Sequence, residues 1–247
     1  MTAPLVLGVF AHPDDETFGM GGTLATLHAE GVRTALWVAT DGEAGRHVTD
    51  VTEPATLAVV RRAELLRAAG ALGVDRVVAP GFPDGGLPDV PRAALLASLV
   101  AAIRLLRPVV IVTFGPEGAP TGHRDHQVVS SLAEAAFVAA ADPAVGVEPP
   151  YDRLAPHAAA RLACITWPDP RPGDRHQRRG LPVACRVRVR DHRGEKACAF
   201  AAHASQAHHQ REFDELNGAE EWFAWRAGVP FPDGATDLLA GLSRPGS

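Results

Sequence analysis

The sequence has little cysteine, and the placing of its cysteines excludes two kinds of site. Among 247 residues there are three, Cys164, Cys185 and Cys198. An odd number at such long spacings gives neither a disulfide framework nor a zinc knuckle of Cys-x-x-Cys type. We therefore expect reduced, mostly buried thiols, as in a cytoplasmic protein.

The chain also lacks an excess of positive charge and long apolar runs. Its formal net charge is -5, and Lys196 is the only lysine. The chain therefore lacks the excess of positive charge that attracts nucleic acid or an anionic membrane. Runs such as 93–103 are shorter than the roughly 20 residues that span a bilayer, and no signal-peptide pattern is present. We expect a cytoplasmic protein without nucleic-acid or membrane partners, while a homo-oligomer remains open.

Apolar runs of strand length alternate with segments of helical period over the first 140 residues. Strands are predicted at 5–10, 34–39, 76–79 and 109–114, and helices at about 17–30, 54–72, 91–106 and 123–140. Alternation of this kind is typical of βαβ units around a parallel sheet. The predicted fold is α/β, a Rossmann-like three-layer sandwich with a mostly parallel central sheet.

The character of the sequence changes after residue 141. Repeated prolines between 142 and 182 indicate long loops around one strand at 163–167. An edge strand at 183–189, a long helix at 193–213 and a loose surface tail from Pro230 complete the prediction. We expect a single domain, 1–247, with a Rossmann-like core at 1–141 and a smaller loop-rich portion with the edge strand and C-terminal helix at 142–247.

A polar stretch follows each of the four predicted core strands. The stretches read AHPDDE (11–16), TDGEAGRH (40–47), GFPDGG (81–86) and GPEGAPTGHRDH (115–126). In doubly wound sheets the carboxyl ends of the strands form the crevice in which ligands bind. We therefore expect these four stretches to share one site.

The first and fourth stretches contain the residues of a mixed metal site. His12 and Asp15 are three apart at a strand-to-helix turn, and His126 follows at the start of another helix. A catalytic zinc typically has three such protein ligands and a water, whose pKa the metal lowers to about 7. His12, Asp15 and His126 are the predicted ligands of Zn²⁺, although a His2Asp set also accepts other divalent transition metals.

Three further residues are predicted to act in catalysis. Asp14, uncoordinated beside the metal-bound water, would be the general base. His123, protonated and oriented by Asp125 through its ring N–H, would stabilise the oxyanion or donate a proton to the leaving amine. Together these residues predict a metal-assisted hydrolase.

A plainer interpretation exists for the same residues. The acids at 14–16 would be a helix cap that faces water and complements the helix dipole. His12 would then be a core histidine, and His123 and His126 would lie on a solvated helix face. For Glu16 we keep this interpretation in any case, as an acid at the helix N-terminus that the dipole favours.

The motifs and their order resemble the LmbE-like, or PIG-L-type, zinc-dependent de-N-acetylases. The resemblance runs from about 5 to 206 and includes AHPDDE, TDGEAG, GFPDGG, GHRDH and AHASQ. It implies the ligands, base and histidine that the spacing already indicated. It further implies a small-molecule substrate, a glucosamine-containing compound from which an N-acyl group, mostly acetyl, is removed.

The resemblance also implies substrate-binding residues. Glu43 and Arg61 stand where relatives place polar residues that contact the sugar, and His203 follows Lys196 in a late helix near the site. Alternatives are an exposed ion pair of Arg61 with Glu64, and a surface position for His203. Some relatives use a tyrosine shortly before the GH pair, where this chain has Thr121.

The predicted function is therefore zinc-dependent N-deacetylation of an amino-sugar compound. Two alternatives keep parts of this interpretation. One is an amidase that acts on thiol S-conjugates, with the same metal site. The other is a non-catalytic Rossmann-type ligand-binding protein, which would not need the intact set of His12, Asp14, Asp15 and His126.

Overall fold

The computed structural model describes residues 3–147, 149–167 and 180–242. The strands are β1 (Leu5–Phe10), β2 (Arg33–Val38), β3 (Arg76–Val78), β4 (Val110–Thr113), β5 (Arg161–Thr166), β6 (Cys185–Arg188) and β7 (Glu220–Gly228). The helices are α1 (Asp15–Ala29), α2 (Pro54–Ala71), α3 (Arg92–Leu106), α4 (Arg124–Ala139), α5 (Arg193–Ala202) and α6 (Gln210–Leu216). Short 3-10 turns lie at Leu87–Asp89, Arg190–His192 and Ala204–His209.

The strands form one mostly parallel sheet in the order β3-β2-β1-β4-β5-β7-β6. Strands β1 to β5 are parallel, whereas β7 runs antiparallel to both β5 and β6. Helices α1, α2 and α5 pack together, as do α3 and α4. The strand order reverses between β1 and β4, which places the crevice at their carboxyl ends. The predicted α/β sandwich is confirmed, and its core elements end within two residues of the predicted bounds.

Continuous apolar sequence explains the central strands. All residues of β1 and β4 are buried, as expected for parallel strands covered on both faces. At Gly22, helix α1 packs closely against Val189, which precedes the turn before α5. A Cβ at Gly22 would lie only 2.6 Å from the Cβ of Val189. Helix α1 is also kinked at Met20, whose φ of -150° and ψ of 23° are not helical.

The C-terminal part corrects three predictions. Strand β7 was not predicted, yet it lies inside the sheet between β5 and β6. The predicted helix at 193–213 is interrupted at His203, whose ψ of 55° ends α5. The described part of the tail after Pro230, up to residue 242, is packed, since Leu238 and Leu239 are buried.

The buried guanidinium of Arg161 fixes this tail. It donates hydrogen bonds to the carbonyl oxygens of Leu238 (2.7 Å) and Ala240 (2.8 Å). Strand β6 does lie at the sheet edge, as predicted. Part of the predicted proline-rich loop, 168–179, lies outside the described residues. Among the helices of the described ranges, none is both long and apolar enough to cross a membrane.

Candidate active site

The turn between β1 and α1 brings the first polar stretch to the crevice. It requires a left-handed backbone at Asp14, with φ 109°, which is a costly conformation for a residue other than glycine. The Asp14 N–H donates to Glu16 Oε2 at 3.0 Å, and the Asp14 carbonyl accepts from Thr17 N at 2.9 Å. These bonds hold the turn so that Asp14 and Asp15 both face the crevice.

The three predicted ligands converge at one point. Asp15 Oδ2 lies 3.3 Å from His12 Nδ1, and Asp15 Oδ1 lies 3.2 Å from His126 Nε2. The same two ring nitrogens are 3.2 Å apart. Atoms bound to zinc at about 2.0–2.2 Å in a tetrahedral site lie roughly 3.3–3.6 Å from one another. The spacing of this donor set therefore fits a divalent cation.

The remaining ring nitrogen of each histidine is held by an acceptor. His126 Nδ1 lies 3.2 Å from the carbonyl oxygen of Gly118. This contact holds the ring proton on Nδ1, so Nε2 keeps the lone pair that can bind a metal. His12 Nε2 lies 3.1 Å from Asp84 Oδ1 and 3.3 Å from Asp125 Oδ2. Nδ1 of His12 is thereby left for a metal.

Three carboxylates surround His12. Burial alone lowers its pKa, but hydrogen bonds to Asp125, Asp15 and Asp84 outweigh burial and raise the pKa well above its usual value. Possible ligand atoms of His12, Asp84 and Asp125 lie within 4.8 Å of one another. The same holds for ring nitrogens of His12, His123 and His126. Asp15 is the acid that contacts both His12 and His126.

The position of Asp125 corrects the sequence interpretation. Its carboxylate, fully buried, accepts from Gly85 N at 2.8 Å and faces His12, not the ring of His123. Only the backbone N–H of Asp125 contacts His123, by donating to Nδ1 at 3.2 Å. His123 is the N-cap of α4, and that geometry directs the Asp125 side chain toward β1.

His123 is the exposed histidine of the group. Because its Nδ1 accepts a backbone N–H, the neutral ring carries its proton on Nε2. Burial, together with the neighbouring His12 and His126, lowers the pKa of His123. In this arrangement a neutral ring has one N–H donor, on Nε2.

Asp14 is paired with Arg61. Arg61 is only 3% exposed and donates to Pro13 O (2.6 Å) and Gly42 O (2.7 Å), while its Nη2 lies 3.3 Å from Asp14 Oδ2. Burial raises the pKa of Asp14 to about 6, against the attraction of Arg61. The alternative of an exposed pair with Glu64 is wrong, because Glu64 is buried and accepts from Ser205.

Glu43 and Asp84 stand side by side near His12. Glu43 Oε1 accepts from the Asp84 N–H at 2.9 Å, and Asp84 Oδ2 accepts from Ala44 N at 2.9 Å. Glu43 Oε2 is buried without a hydrogen-bond partner among the described residues. Asp84 was not predicted individually, although its stretch, GFPDGG, was placed at the crevice.

His203 lies behind the site. It is fully buried, with Nε2 2.7 Å from Oε1 of the equally buried Glu16, so a direct contact with substrate is not supported. Glu16 lies in the first turn of α1, as predicted, but it is buried and does not face water. Since Glu16 also accepts the Asp14 N–H, His203 supports the turn that presents Asp14.

Comparison with known proteins gives similarities over most of the chain. Residues 7–137 match the PIG-L family, described as GlcNAc-PI de-N-acetylase. A protein of Rhodococcus erythropolis named 1D-myo-inositol 2-acetamido-2-deoxy-alpha-D-glucopyranoside deacetylase is 32% identical over 83% of this chain and 82% of its own. One of the same name from Streptomyces griseus is 31% identical over 98% and 90%. The crystal structure of a conserved protein from Thermus thermophilus matches with a TM-score of 0.72 and 28% identity over 92% of this chain and 96% of that chain.

Proposed function

Because this chain belongs to the PIG-L family of de-N-acetylases, we propose that it hydrolyses the N-acyl amide of a glucosamine-containing small molecule. The observation that carries the proposal is the convergence of His12, Asp15 and His126 with the uncoordinated Asp14 beside them. A non-catalytic relative would have no need to keep the strained turn that presents Asp14.

His12, Asp15 and His126 would hold the metal, for which Zn²⁺ is the proposed ion. When bound, it would supply a Lewis acid that lowers the pKa of a water molecule to about 7 and polarises the acyl oxygen. Asp84 and Asp125 fix the tautomer of His12 from the opposite side of the ring.

Asp14 is proposed as the general base. It accepts a proton from the attacking water and, as the C–N bond breaks, returns a proton to the amine nitrogen. Burial raises its pKa to about 6, which makes it a stronger base than a solvated aspartate. The Nε2–H of His123 donates a hydrogen bond to the oxyanion that forms on the acyl oxygen.

Glu43, which is partly exposed, is proposed to bind the sugar side of the substrate, whereas the buried Arg61 is proposed to act through Asp14. Glu43 Oε1 accepts from Asp84 N and, as a carboxylate oxygen, can accept a second hydrogen bond from a hydroxyl group, while Arg61 orients the Asp14 carboxylate. His203 has no proposed contact with substrate and acts through Glu16.

Release of free amine tests the function. Purified protein would be assayed with N-acetylglucosamine, its methyl glycoside and the inositol glycoside named for the two relatives, with and without chelator. We expect amine release that a chelator abolishes and added Zn²⁺ restores. Asp14→Asn, verified to be folded and metal-loaded, should lose about 10²–10⁴-fold in turnover. Absence of amine from every N-acyl substrate would reject the proposal.

A further inference from the structure

A cavity of about 550 Å³ opens directly beside the proposed ligands. Asp14, Asp15 and His126 form part of its wall, whereas Glu43, Asp84 and His12 do not. A volume of this size accommodates a substantial organic group. The methyl of an acetyl group would leave nearly all of it unfilled.

The wall nearest the ligands is apolar. Phe18, Phe114 and Ile165 line the cavity, as do Trp167 and Trp222, and the Phe114 ring stacks on His126 with centroids 4.0 Å apart. Gly19 also lines the cavity, and an added Cβ there would lie 3.1 Å from Ile165 Cδ1.

The buried charge in the wall is neutralised within the protein. Lys196, 1% exposed, donates from Nζ to Glu221 Oε1 at 2.7 Å. Glu221 is 4% exposed and also accepts from Gly22 N and Thr23 N. The other charged lining residues outside the proposed site are exposed: Arg211, Glu212, Glu215 and Glu220. The interior therefore offers apolar surface more than an unpaired charge.

The two sides of the site differ in the chemistry they offer. On the side of β2 and β3 stand Glu43 and Asp84, whose carboxylates suit sugar hydroxyl groups. On the side of β4, β5 and β7 lies the apolar cavity. A substrate whose amide lies at Asp14 and Asp15 and whose sugar lies on the polar side would direct its acyl group into the cavity.

We propose that the cavity binds the acyl group of the substrate, and that the preferred acyl group is an apolar chain several carbons longer than acetyl. This rests on the proposed N-acyl hydrolysis and specifies its substrate class. Burial of each added methylene is expected to raise kcat/KM by up to about fourfold, until the chain fills the cavity.

A pair of substrate series tests the proposal. In the first, methyl glucosaminides carry N-acetyl, N-butanoyl or N-hexanoyl groups; in the second, N-acetylglucosamine carries methyl, butyl or hexyl aglycones. We expect kcat/KM to rise along the first series and to change little along the second. A flat or falling acyl series with acetyl cleaved would overturn the acyl assignment and leave the proposed function intact, as would a rise along the aglycone series alone. No amine release from any compound would reject both.

Two tryptophans of β7 provide a matched pair of variants. Trp222 lines the cavity, whereas Trp225 is 44% exposed and lies outside its wall. Trp222→Ala should reduce the ratio of kcat/KM for hexanoyl over acetyl severalfold, and Trp225→Ala should leave that ratio unchanged. Equal ratios in both variants, with thermal melting showing both folded, would contradict the proposal.

Binding without turnover gives a second measurement. In an Asp14→Asn background, N-hexanoylglucosamine should change the fluorescence of the tryptophans that line the cavity, Trp167 and Trp222. N-acetylglucosamine should bind more weakly in the same titration. Equal affinity of the two ligands would count against an acyl-binding cavity.

Discussion

Asp125 Oδ2 lies 3.3 Å from Nε2 of His12, across the ring from the nitrogen that faces Asp15 and His126. This contact links the GHRDH motif of α4 to the AHPDDE motif of β1. Asp125 therefore contacts His12, a proposed metal ligand, and not the ring of its sequence neighbour His123.

Asp125→Asn is therefore expected to weaken metal binding. Loss of a carboxylate behind a ligating histidine typically lowers affinity 10–100-fold, because the ring loses its orientation and basicity. Affinity for Zn²⁺ would be measured by competition with a chromogenic chelator. His123→Gln is the matched control, which should lower turnover and keep the affinity. An Asp125→Asn protein with normal affinity and poor turnover would instead place Asp125 behind His123.

Removal of a proposed ligand should remove the metal altogether. His126→Ala leaves only His12 and Asp15 at the site, too few for a stable zinc site of three protein ligands. Metal content after dialysis would be measured by elemental analysis. His192→Ala, at the start of α5 and away from the site, is the control. Full metal content and activity in His126→Ala would refute the ligand set.

The pH dependence of turnover should depend on Arg61. As the proposed base, Asp14 would act only when ionised, so activity is expected to fall as pH drops through its pKa of about 6. Arg61 lowers this pKa, and a bound cation lowers it further, so the acidic limb should lie at or below about pH 6. Arg61→Met removes one positive charge and should shift the limb of kcat/KM to higher pH. A shift to lower pH would contradict the pairing.

The buried pair of His203 and Glu16 should contribute strongly to stability. His203→Ala leaves the Glu16 carboxylate buried without its partner, which typically costs about 3–5 kcal/mol in the free energy of unfolding. Urea unfolding would measure the loss. His192→Ala breaks the exposed pair with Glu195 and should change the value by less than about 1 kcal/mol.

The sign of the pH effect on this pair follows from the histidine. Burial alone lowers the pKa of His203, but the charge and hydrogen bond of Glu16 outweigh burial and raise this pKa overall. The contribution of the pair is then fully present below the unfolded-state pKa near 6.5 and is lost as pH rises through the folded-state pKa. The stability difference between wild type and His203→Ala should shrink at alkaline pH.

Thiol reactivity should be confined to one cysteine. Cys198 is exposed, whereas burial raises the pKa of Cys164 and of Cys185 to about 12. At pH 8 a disulfide reagent should therefore titrate one thiol in the native protein and three after denaturation. Cys198→Ser should abolish the native reaction, and labelling that persists in this variant would contradict the burial of the other two.

The parallel half of the fold was predictable because its strands are continuous apolar runs that end in glycine or polar turns. The C-terminal part was not. The sequence EEWFAWRAG of β7 mixes charged and aromatic residues. Its Glu221 can be buried because it accepts hydrogen bonds from Lys196, Gly22 and Thr23. The break between α5 and the turn that follows depends on His203 reaching Glu16, which lies 187 residues earlier.

In the site, sequence identified the residues that converge but not every partner. His12, Asp15 and His126 follow adjacent strands, so topology brings them together. The partner of Asp125 was predicted from its closeness in sequence to His123, whereas the N-cap of α4 turns the side chain to another strand. Burial of Glu16, Arg61 and His203 is a property of tertiary packing that local pattern does not show.

The place of β7 in the sheet has a consequence for the order of synthesis. Strand β6 is made before β7, yet its only strand partner among the described residues is β7, and β5 keeps an unpaired edge until β7 arrives. A nascent chain released only as far as residue 219 would therefore expose two open strand edges and would lack Trp222 from the cavity wall. During translation, we expect the sheet to close and the substrate cavity to be completed in the same late event.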